Sequence, residues 1–276
     1  MRGLVSVRTK RSKSSSAVSV GKEQPELVHE EKGTGLPGDP FVLPLRERPN
    51  RSGCRHCVEN SCDCTYVTEE LQKCYASLSV SRQVMCRGRR ELCAKSVLPP
   101  FVSRLIRVAK IIEGDTFYDL GCGNGSVVFQ VALSTGARCI GIEINPHNAA
   151  VARDAWERLR PIFEKRCGRV LDVSIICGDM CSIVRSANYF ASSSVVWIAN
   201  LLMPRPVNHF LSERLRLLTS GCRVLCMEDL FPHSRPLAAK RDPDAFEKFE
   251  MVDYHWQLGS VEWSDAAGAF FLYVRR

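Results

Sequence analysis

A cluster of glycines directly after an apolar segment constrains the fold of this chain most strongly. Residues 116–125 have the sequence TFYDLGCGNG, and an apolar, helix-compatible run follows at 127–133. Apolar residues leading into glycines indicate a buried strand that turns sharply into a helix. Gly121, Gly123 and Gly125 have no Cβ atoms, so their backbone can adopt unusual dihedral angles and a ligand can lie directly against it.

The glycine spacing indicates which class of ligand fits this turn. The dinucleotide fingerprint is G-x-G-x-x-G, whereas the third glycine here comes one residue earlier. Asp119 stands two residues before the first glycine, where a carboxylate repels a pyrophosphate but suits a cationic nucleoside that carries an amino acid. Glu143 ends a second strand-like run, 22 residues after Gly121. A doubly wound fold places there the acid that binds both ribose hydroxyls, so the sequence predicts a cofactor site.

The rest of the C-terminal part alternates between strand-like and helix-like segments. An amphipathic helix is predicted at 101–112, strands at 116–121, 138–144, 170–177, 194–200 and 222–228, and helices at 125–135, 146–165, 182–190 and 206–219. Such alternation predicts a parallel sheet with helices on both faces. The last strand-like segments, at 249–257, 261–263 and 269–275, have no helix between them. They predict a terminal antiparallel hairpin. The pattern D-x-G-x-G-x-G at 119–125 resembles motif I of the Rossmann-type S-adenosylmethionine-dependent methyltransferases, whose sheet such a hairpin suits better than a dinucleotide domain.

The positive charge of the chain is concentrated at its N-terminal end. The 276 residues carry a net charge of +8; residues 1–22 contain six Lys or Arg and no acid, and residues 111–276 contain 18 basic and 19 acidic residues. We predict a disordered basic arm and linker at 1–52, a Cys-rich and helical region at 53–98, and the main domain at 99–276. The arm suggests an anionic macromolecule as partner or a nuclear address; a solvated tail and, with less weight, a mitochondrial presequence are alternatives. No apolar run is long enough for a membrane helix, and no secretory signal core follows the start.

The 14 cysteines are expected to be reduced thiols rather than disulfides. Cys54, Cys57, Cys62 and Cys64 are weak candidates for a zinc site, because C-x-x-C is a common metal-binding hairpin. The spacer of four residues between the two pairs is shorter than in usual zinc sites, so zinc is possible but not favoured. The alternative is a cysteine-rich linker.

Two further strand ends carry candidate site residues. Asp179 follows the third predicted strand and can accept a hydrogen bond from an adenine amino group, with Met180 as an apolar neighbour of the ring. Asn200 ends the fourth strand before an apolar lip at 201–203, and it can orient the methionine part of a cofactor or an incoming amine. The alternative for Asn200 is a structural cap at the strand end.

Three stretches make the segment from Phe117 onward similar to one family, the non-SET histone lysine methyltransferases of the disruptor-of-telomeric-silencing type. They are FYDLGCGNGSVVFQVA at 117–132, VVWIAN at 195–200 with VNH and ER downstream, and GSVEW at 259–263 with FFL at 270–272. The resemblance implies a Rossmann-like class I methyltransferase fold with a mostly parallel seven-stranded sheet. It implies S-adenosyl-L-methionine as cofactor, bound by Asp119, Gly121, Gly123, Gly125, Glu143, Asp179, Met180 and Asn200.

The resemblance also implies which residues surround the lysine that accepts the methyl group. Asn200 stands where the family has its active-site asparagine, and Trp263 and Phe270 are expected to line a narrow channel for the target lysine. The chain departs from the family at Ala199, where the family has a first asparagine, and at Phe270, where it has a tyrosine. No histidine or carboxylate pair presents itself as a base, so we expect the lysine to lose its proton to solvent.

The resemblance therefore predicts a nuclear enzyme that methylates a lysine in the globular core of histone H3 on nucleosomes, with the basic N-terminal segment on DNA. One alternative is a methyltransferase for RNA or a non-histone protein. Another is a chromatin-binding module that keeps the fold without catalysis.

Overall fold

The fold is built around one twisted sheet whose order places the glycine turn near its middle. The computed structural model describes residues 32–42, 64–78, 96–186 and 190–276. Within these ranges the strands are β1 (Phe41–Val42), β2 (Thr116–Leu120), β3 (Arg138–Glu143), β4 (Val173–Cys177), β5 (Val195–Ile198), β6 (Arg223–Cys226), β7 (Phe249–Trp256) and β8 (Gly268–Arg275). They form an eight-stranded sheet in the order β1-β7-β8-β6-β5-β2-β3-β4.

The helices of these ranges connect and cover the strands. They are α1 (Cys64–Ser77), α2 (Pro99–Val108), α3 (Ser126–Thr135), α4 (Pro146–Cys167), α5 (Met180–Arg185), α6 (Arg205–Leu215), α7 (Ala238–Arg241) and α8 (Pro243–Lys248), with a 3-10 turn at Asn200–Leu202. All the strand pairs are parallel except those of β8, which runs antiparallel to both β6 and β7. This arrangement confirms the Rossmann-like class I methyltransferase fold that the sequence predicts.

The two faces of the sheet bury two separate hydrophobic cores. Along β5 the side chains of Val195 and Trp197 enter one core, and those of Val196 and Ile198 enter the other. Successive strand residues point to opposite faces, so this alternation is the pattern of a strand covered on both sides. Helices α1, α2, α3 and α4 pack on the first core, and α5, α6 and α8 pack on the second.

The sheet has one strand more than the seven predicted, and the extra strand comes from the stretch predicted to be disordered. Phe41 pairs with Tyr254 and Val42 with His255 at the edge of β7. The preceding turn folds back on itself, because Val42 N donates to Lys32 O at 2.8 Å. The predicted disorder of 1–52 therefore does not extend to residues 32–42, where Gly and Pro form a tight turn rather than a loose linker. The rest of that stretch lies outside the described residues.

Two further differences concern a predicted strand and the ends of a predicted helix. The third terminal strand predicted at 261–263 is only an isolated bridge between Val97 and Val261. The helix predicted at 182–190 begins earlier, at Met180, and ends at Arg185. It begins there because the side chain of Asp179 accepts a hydrogen bond from Cys181 N and caps the first turn.

The metal and membrane predictions are tested only in part. Cys54, Cys57 and Cys62 lie outside the described residues, and only the backbone of Cys64 is described. Among the described residues, no group of three or more His, Cys, Asp or Glu side chains is arranged to hold a metal ion. None of the helices in these ranges has the length and apolar character that crossing a bilayer requires.

Candidate active site

A cavity of about 380 Å³ opens at the carboxyl ends of β2, β3, β4 and β5. Parallel sheets present their ligand sites at this edge, where strand order reverses. The lining residues come from the glycine turn, the ends of the strands and the segments on either side of the sheet: Ser96, Val97, Asp119, Gly121, Cys122, Gly123, Asn124, Ser126, Val127, Ile142, Glu143, Ile144, Asn148, Gly178, Asp179, Met180, Cys181, Trp197, Ala199, Leu201, Leu202, Met203, Pro204, Val207, Met227 and Trp263.

The glycine turn forms the floor of this cavity in a conformation that favours glycine. Gly121, Gly123 and Gly125 have φ values of 93°, 55° and 84°, in the left-handed region. A Cβ at Gly121 meets no atom nearer than the methyl group of Met203 at 3.4 Å, so this glycine leaves open space for a ligand. A Cβ at Gly125 lies 2.6 Å from the ring of Phe129. Gly125 is therefore required by internal packing at the start of α3, and it does not line the cavity.

Asp119 is a buried carboxylate at the end of β2 with one oxygen left unsatisfied. The residue is 2% exposed, and its Oδ1 has no hydrogen-bond partner among the described residues. Burial, and then the negative charge of Glu143, raise the pKa of Asp119 well above its usual value. An uncompensated buried acid is costly. A ligand that brings a positive charge and an N–H donor to Asp119 removes that cost.

Glu143 binds the glycine turn to the neighbouring strand and still faces the cavity. Its Oε2 accepts a hydrogen bond from Gly123 N at 2.8 Å, and its Oε1 accepts one from Asn145 N at 2.7 Å. Each carboxylate oxygen can accept a second hydrogen bond. The two oxygens are thus fixed in place with free acceptor capacity, as the binding of two vicinal hydroxyls requires.

The β4 end of the cavity provides a polar acceptor next to apolar surfaces. Asp179 Oδ1 accepts from Cys181 N at 3.0 Å and Oδ2 accepts from Ser182 Oγ at 2.8 Å, so Asp179 is first of all the cap of α5. Met180 and the 48%-exposed side chain of Ile144 line the cavity beside it. Two apolar side chains around an acceptor are suited to a flat, partly polar ring.

The opposite end of the cavity is apolar and aromatic. Trp197 and Met227 form its buried wall and Leu201 and Met203 its lip. Trp263 closes this end and is only partly buried.

The backbone next to Trp263 is fixed by a short pairing between two distant segments. Leu98 N donates to Ser260 O at 2.8 Å, and Glu262 N donates to Ser96 O at 3.1 Å. These bonds attach the segment before α2 to the loop between β7 and β8, and Glu262 is the residue directly before Trp263.

Asn200 lies behind this wall rather than in the cavity. It is fully buried, and its Oδ1 accepts hydrogen bonds from Met227 N and Glu228 N, both at 2.9 Å. Its Nδ2 donates to Asn208 Oδ1 at 3.1 Å. Asn200 thus joins the end of β5 to the end of β6 and to α6, which differs from the cofactor contact that the sequence predicts. The alternative of a structural cap at the strand end agrees better with these contacts.

Phe270 also lies outside the cavity, in contrast to the predicted lysine channel. It is fully buried between Phe101 and Tyr254, with ring centroids 5.1 and 5.0 Å away. The guanidinium of Arg104 lies over its ring at 5.0 Å. The phenylalanine ring carries no hydroxyl that needs a hydrogen-bond partner, so it can be fully buried in this aromatic core.

The structure thus brings seven predicted site residues into one cavity: Asp119, Gly121, Gly123, Glu143, Asp179, Met180 and Trp263. Sequence reasoning missed several lining residues, and three of them carried a signal. Ile144 directly follows the predicted acidic strand end, and Trp197 lies within the VVWIAN stretch at 195–200. In the structure, Trp197 pairs with Asp119 across β5 and β2. Cys122 lies inside the glycine motif itself, and burial raises the pKa of its thiol well above the usual value, so it lines the cavity as a neutral group.

Comparison with known proteins agrees with this geometry. Residues 95–275 match the family model described as "Histone methylation protein DOT1". This match covers most of the chain and includes every residue that lines the cavity. The chain belongs to the DOT1 family.

Individual DOT1 relatives are distant in sequence. A "Histone-lysine N-methyltransferase, H3 lysine-79 specific" from Aspergillus fumigatus is 25% identical over 241 residues, which are 82% of this chain and 46% of the relative. A protein of the same description from Drosophila melanogaster is 29% identical over 178 residues, which are 63% of this chain and 9% of the relative. The chain thus spans less than half the length of these two DOT1 relatives.

Proposed function

We propose that this DOT1-family chain is a histone-lysine N-methyltransferase that transfers methyl groups from S-adenosyl-L-methionine to a lysine in the globular core of histone H3 on nucleosomes. The observation that carries this proposal is the family match over 95–275, which contains the whole cavity. The two relatives described above are both named as H3 lysine-79 specific enzymes.

The residues of the cavity fit the proposed cofactor from one end to the other. The vicinal hydroxyls of a ribose match the free acceptor capacity of Glu143, and a purine ring matches the apolar surfaces of Ile144 and Met180. The unsatisfied Oδ1 of Asp119 suits the positive charge at the amino-acid end of the cofactor. When bound, S-adenosylmethionine supplies a methyl group on a cationic sulfur.

The apolar end of the cavity supports a lysine acceptor. An unperturbed lysine has a pKa of about 10.4, so forming its neutral, nucleophilic amine at pH 7 costs about 4–5 kcal/mol. Burial of the ε-amine among Trp197, Leu201 and Trp263 disfavours its charged form and lowers that cost. No histidine lines the cavity among the described residues. We therefore propose that the ε-amine loses its proton to solvent as it enters, and that the apolar walls then align the neutral amine and exclude water.

The charge distribution of the sequence supports a nucleosome as the substrate and the nucleus as the location. Residues 1–22 carry six Lys or Arg and no acid, and Arg87, Arg89 and Arg90 form a second basic cluster. Both segments lie outside the described residues. We propose that the N-terminal segment binds nucleosomal DNA, so nucleosome affinity falls steeply with salt while free-histone affinity falls less.

A methyl-transfer assay tests the proposal with matched variants. The protein is incubated with methyl-labelled S-adenosylmethionine and, in parallel, nucleosomes, free histones and total RNA. The active-site variant is Asp119→Ala; the control is Asp172→Ala, which removes an exposed carboxylate paired with Arg138 at 3.2 Å, outside the cavity.

We expect label on one histone H3 lysine with nucleosomes, lost in Asp119→Ala and kept in Asp172→Ala. Label in RNA alone contradicts the histone substrate and favours the RNA alternative. Cofactor binding without label on any acceptor contradicts the enzymatic proposal and favours a non-catalytic chromatin module.

A further inference from the structure

The glycine turn is held in place by a helix that lies outside the family-matched segment. The hydroxyl of Tyr75 on α1 donates a hydrogen bond to the carbonyl oxygen of Asn124 at 2.8 Å. The family match begins at residue 95, whereas α1 ends at Ser77. Asn124 is the residue between the second and third glycines of the turn, and it lines the cavity.

The turn needs such a contact because its sequence leaves it flexible. Glycine loses more backbone freedom on ordering than any other residue, and this turn has three glycines within five positions. On the β3 side the turn is fixed by the hydrogen bonds from Gly121 N and Cys122 N to Ile142 O and from Gly123 N to Glu143 Oε2. On the other side, the Tyr75 hydroxyl fixes the carbonyl of Asn124.

Helix α1 is a firm support for this contact. Val67, Leu71 and Cys74 are buried in the same core as α3 and α4. Cys74 Sγ lies 3.7 Å from Ala155 O of α4. Burial raises the pKa of the Tyr75 phenol well above its usual value, so the hydroxyl keeps its proton and remains a donor at all physiological pH values.

We infer that Tyr75 is a positioning residue for cofactor binding: through Asn124 it fixes the shape of the glycine turn before the ligand arrives. The inference rests on the proposed function, since it takes S-adenosylmethionine as the ligand of this turn. Without the contact, the cofactor itself must order the turn, and part of its binding free energy is lost.

The variant Tyr75→Phe removes only the hydroxyl and leaves the ring in place. We expect S-adenosylmethionine and S-adenosylhomocysteine to bind roughly three- to tenfold more weakly, the loss that one net hydrogen bond carries. The matched control is Tyr66→Phe on the same helix. Its ring packs on Phe163 at 5.4 Å and under Arg166 at 4.1 Å, contacts with α4 that the change keeps. The control should bind like the wild type.

The readouts are chosen to separate positioning from stability. Calorimetric titration well below the melting temperature gives the Kd for each ligand. Steady-state rates should show a raised KM for the cofactor with kcat and the KM for the acceptor unchanged. Hydrogen exchange of the Gly123 and Gly125 amides in ligand-free protein should be faster in Tyr75→Phe than in Tyr66→Phe.

Each outcome decides the inference. A Kd within twofold of wild type for Tyr75→Phe overturns it, even if the melting temperature falls, because that result describes a merely structural contact. If the wild type binds no cofactor, the proposed function fails. Hydrogen exchange then decides the positioning role alone, and equal exchange in the two variants rejects it.

Discussion

Replacement of Asn200 by Ala tests whether this residue acts on the wall of the cavity or on a ligand. The side chain has three hydrogen bonds: it accepts from the backbone of Met227 and Glu228, and it donates to Asn208. Alanine removes all three hydrogen bonds. If Asn200 lies outside the cavity, the substitution removes no contact with a ligand.

The expected loss of stability follows from the group that each lost hydrogen bond leaves without a partner. The N–H of Met227 belongs to a residue that is 2% exposed, so without its acceptor it bears a desolvation cost of about 1–3 kcal/mol. Glu228 is exposed and Asn208 is half-buried, so water can replace their lost partners at a net cost of about 0.5–1.5 kcal/mol each. Together these costs predict a destabilisation of about 4 kcal/mol. In a domain of this size, that corresponds to a fall in Tm of roughly 8–16 °C.

Thermal unfolding followed by circular dichroism, with chemical denaturation for the free energy, measures this loss. Asn208→Ala is the matched control, since it removes only the bond to the Asn200 amide and should cost about 1 kcal/mol. The Kd for S-adenosylhomocysteine, measured well below the Tm, should change little in either variant. Unchanged stability in Asn200→Ala together with lost cofactor binding refutes this reasoning and restores a direct contact with the ligand.

Four further predictions concern the glycine turn, Asp119 and His233. Gly125→Ala should lower the Tm markedly because its Cβ lies 2.6 Å from a buried ring. Gly121→Ala should cost only the left-handed strain of about 1–2 kcal/mol but should abolish cofactor binding, by calorimetry, because its Cβ enters the cavity. Folding raises the pKa of Asp119, so the folded state binds more protons than the unfolded chain and loses stability as pH rises. Asp119→Asn should therefore raise the Tm of ligand-free protein more at about pH 8 than at about pH 5. The reverse order contradicts the direction of the pKa shift. Burial alone lowers the pKa of His233. The hydrogen bond and negative charge of Asp229, together with the negative charge of Asp253, outweigh burial and raise the pKa to about 9. Its stabilising contribution is complete below the unfolded value of about 6.5 and is lost as pH rises through about 9, so His233→Gln should lower the Tm more at about pH 6 than at about pH 9.5, and an equal fall at both pH values contradicts the charged state.

The cofactor end of the site could be predicted because its signals are local in the sequence. The glycine spacing, Asp119 and Glu143 all lie where an apolar run gives way to glycine or polar residues, a change that the sequence shows directly. Hydrophobic patterning predicts the alternation of strands and helices from 116 to 228, with changes of a few residues at their ends, but it does not contain the short helices α7 and α8.

The acceptor end and the supports of the site depend on contacts between distant residues, which patterning does not contain. Phe270 sits where a resemblance assigns a channel, but the nearby Arg104 and Phe101 of α2 enclose it in the core. Tyr75 and Asn124 are 49 residues apart in the sequence, and no sequence pattern predicts the hydrogen bond between them. Only the folded chain brings such pairs together.

The edge strand β1 was missed for a related reason. Glycine and proline around residues 33–40 indicate a turn or a linker equally well. The edge of β7 favours the turn, because Phe41 and Val42 pair with it as strand β1. Covering that edge removes an exposed row of backbone donors and acceptors.

The most direct test of the account is a crystal structure of the protein with S-adenosylhomocysteine. The account predicts one nucleoside in the cavity at the carboxyl ends of β2 to β5, with its ribose hydroxyls within hydrogen-bond distance of Glu143. Its ammonium group should lie near Asp119, and Asn200 should keep its bonds to Met227 and Glu228. A nucleoside bound elsewhere, or density that contacts Asn200 instead of Glu143, contradicts it.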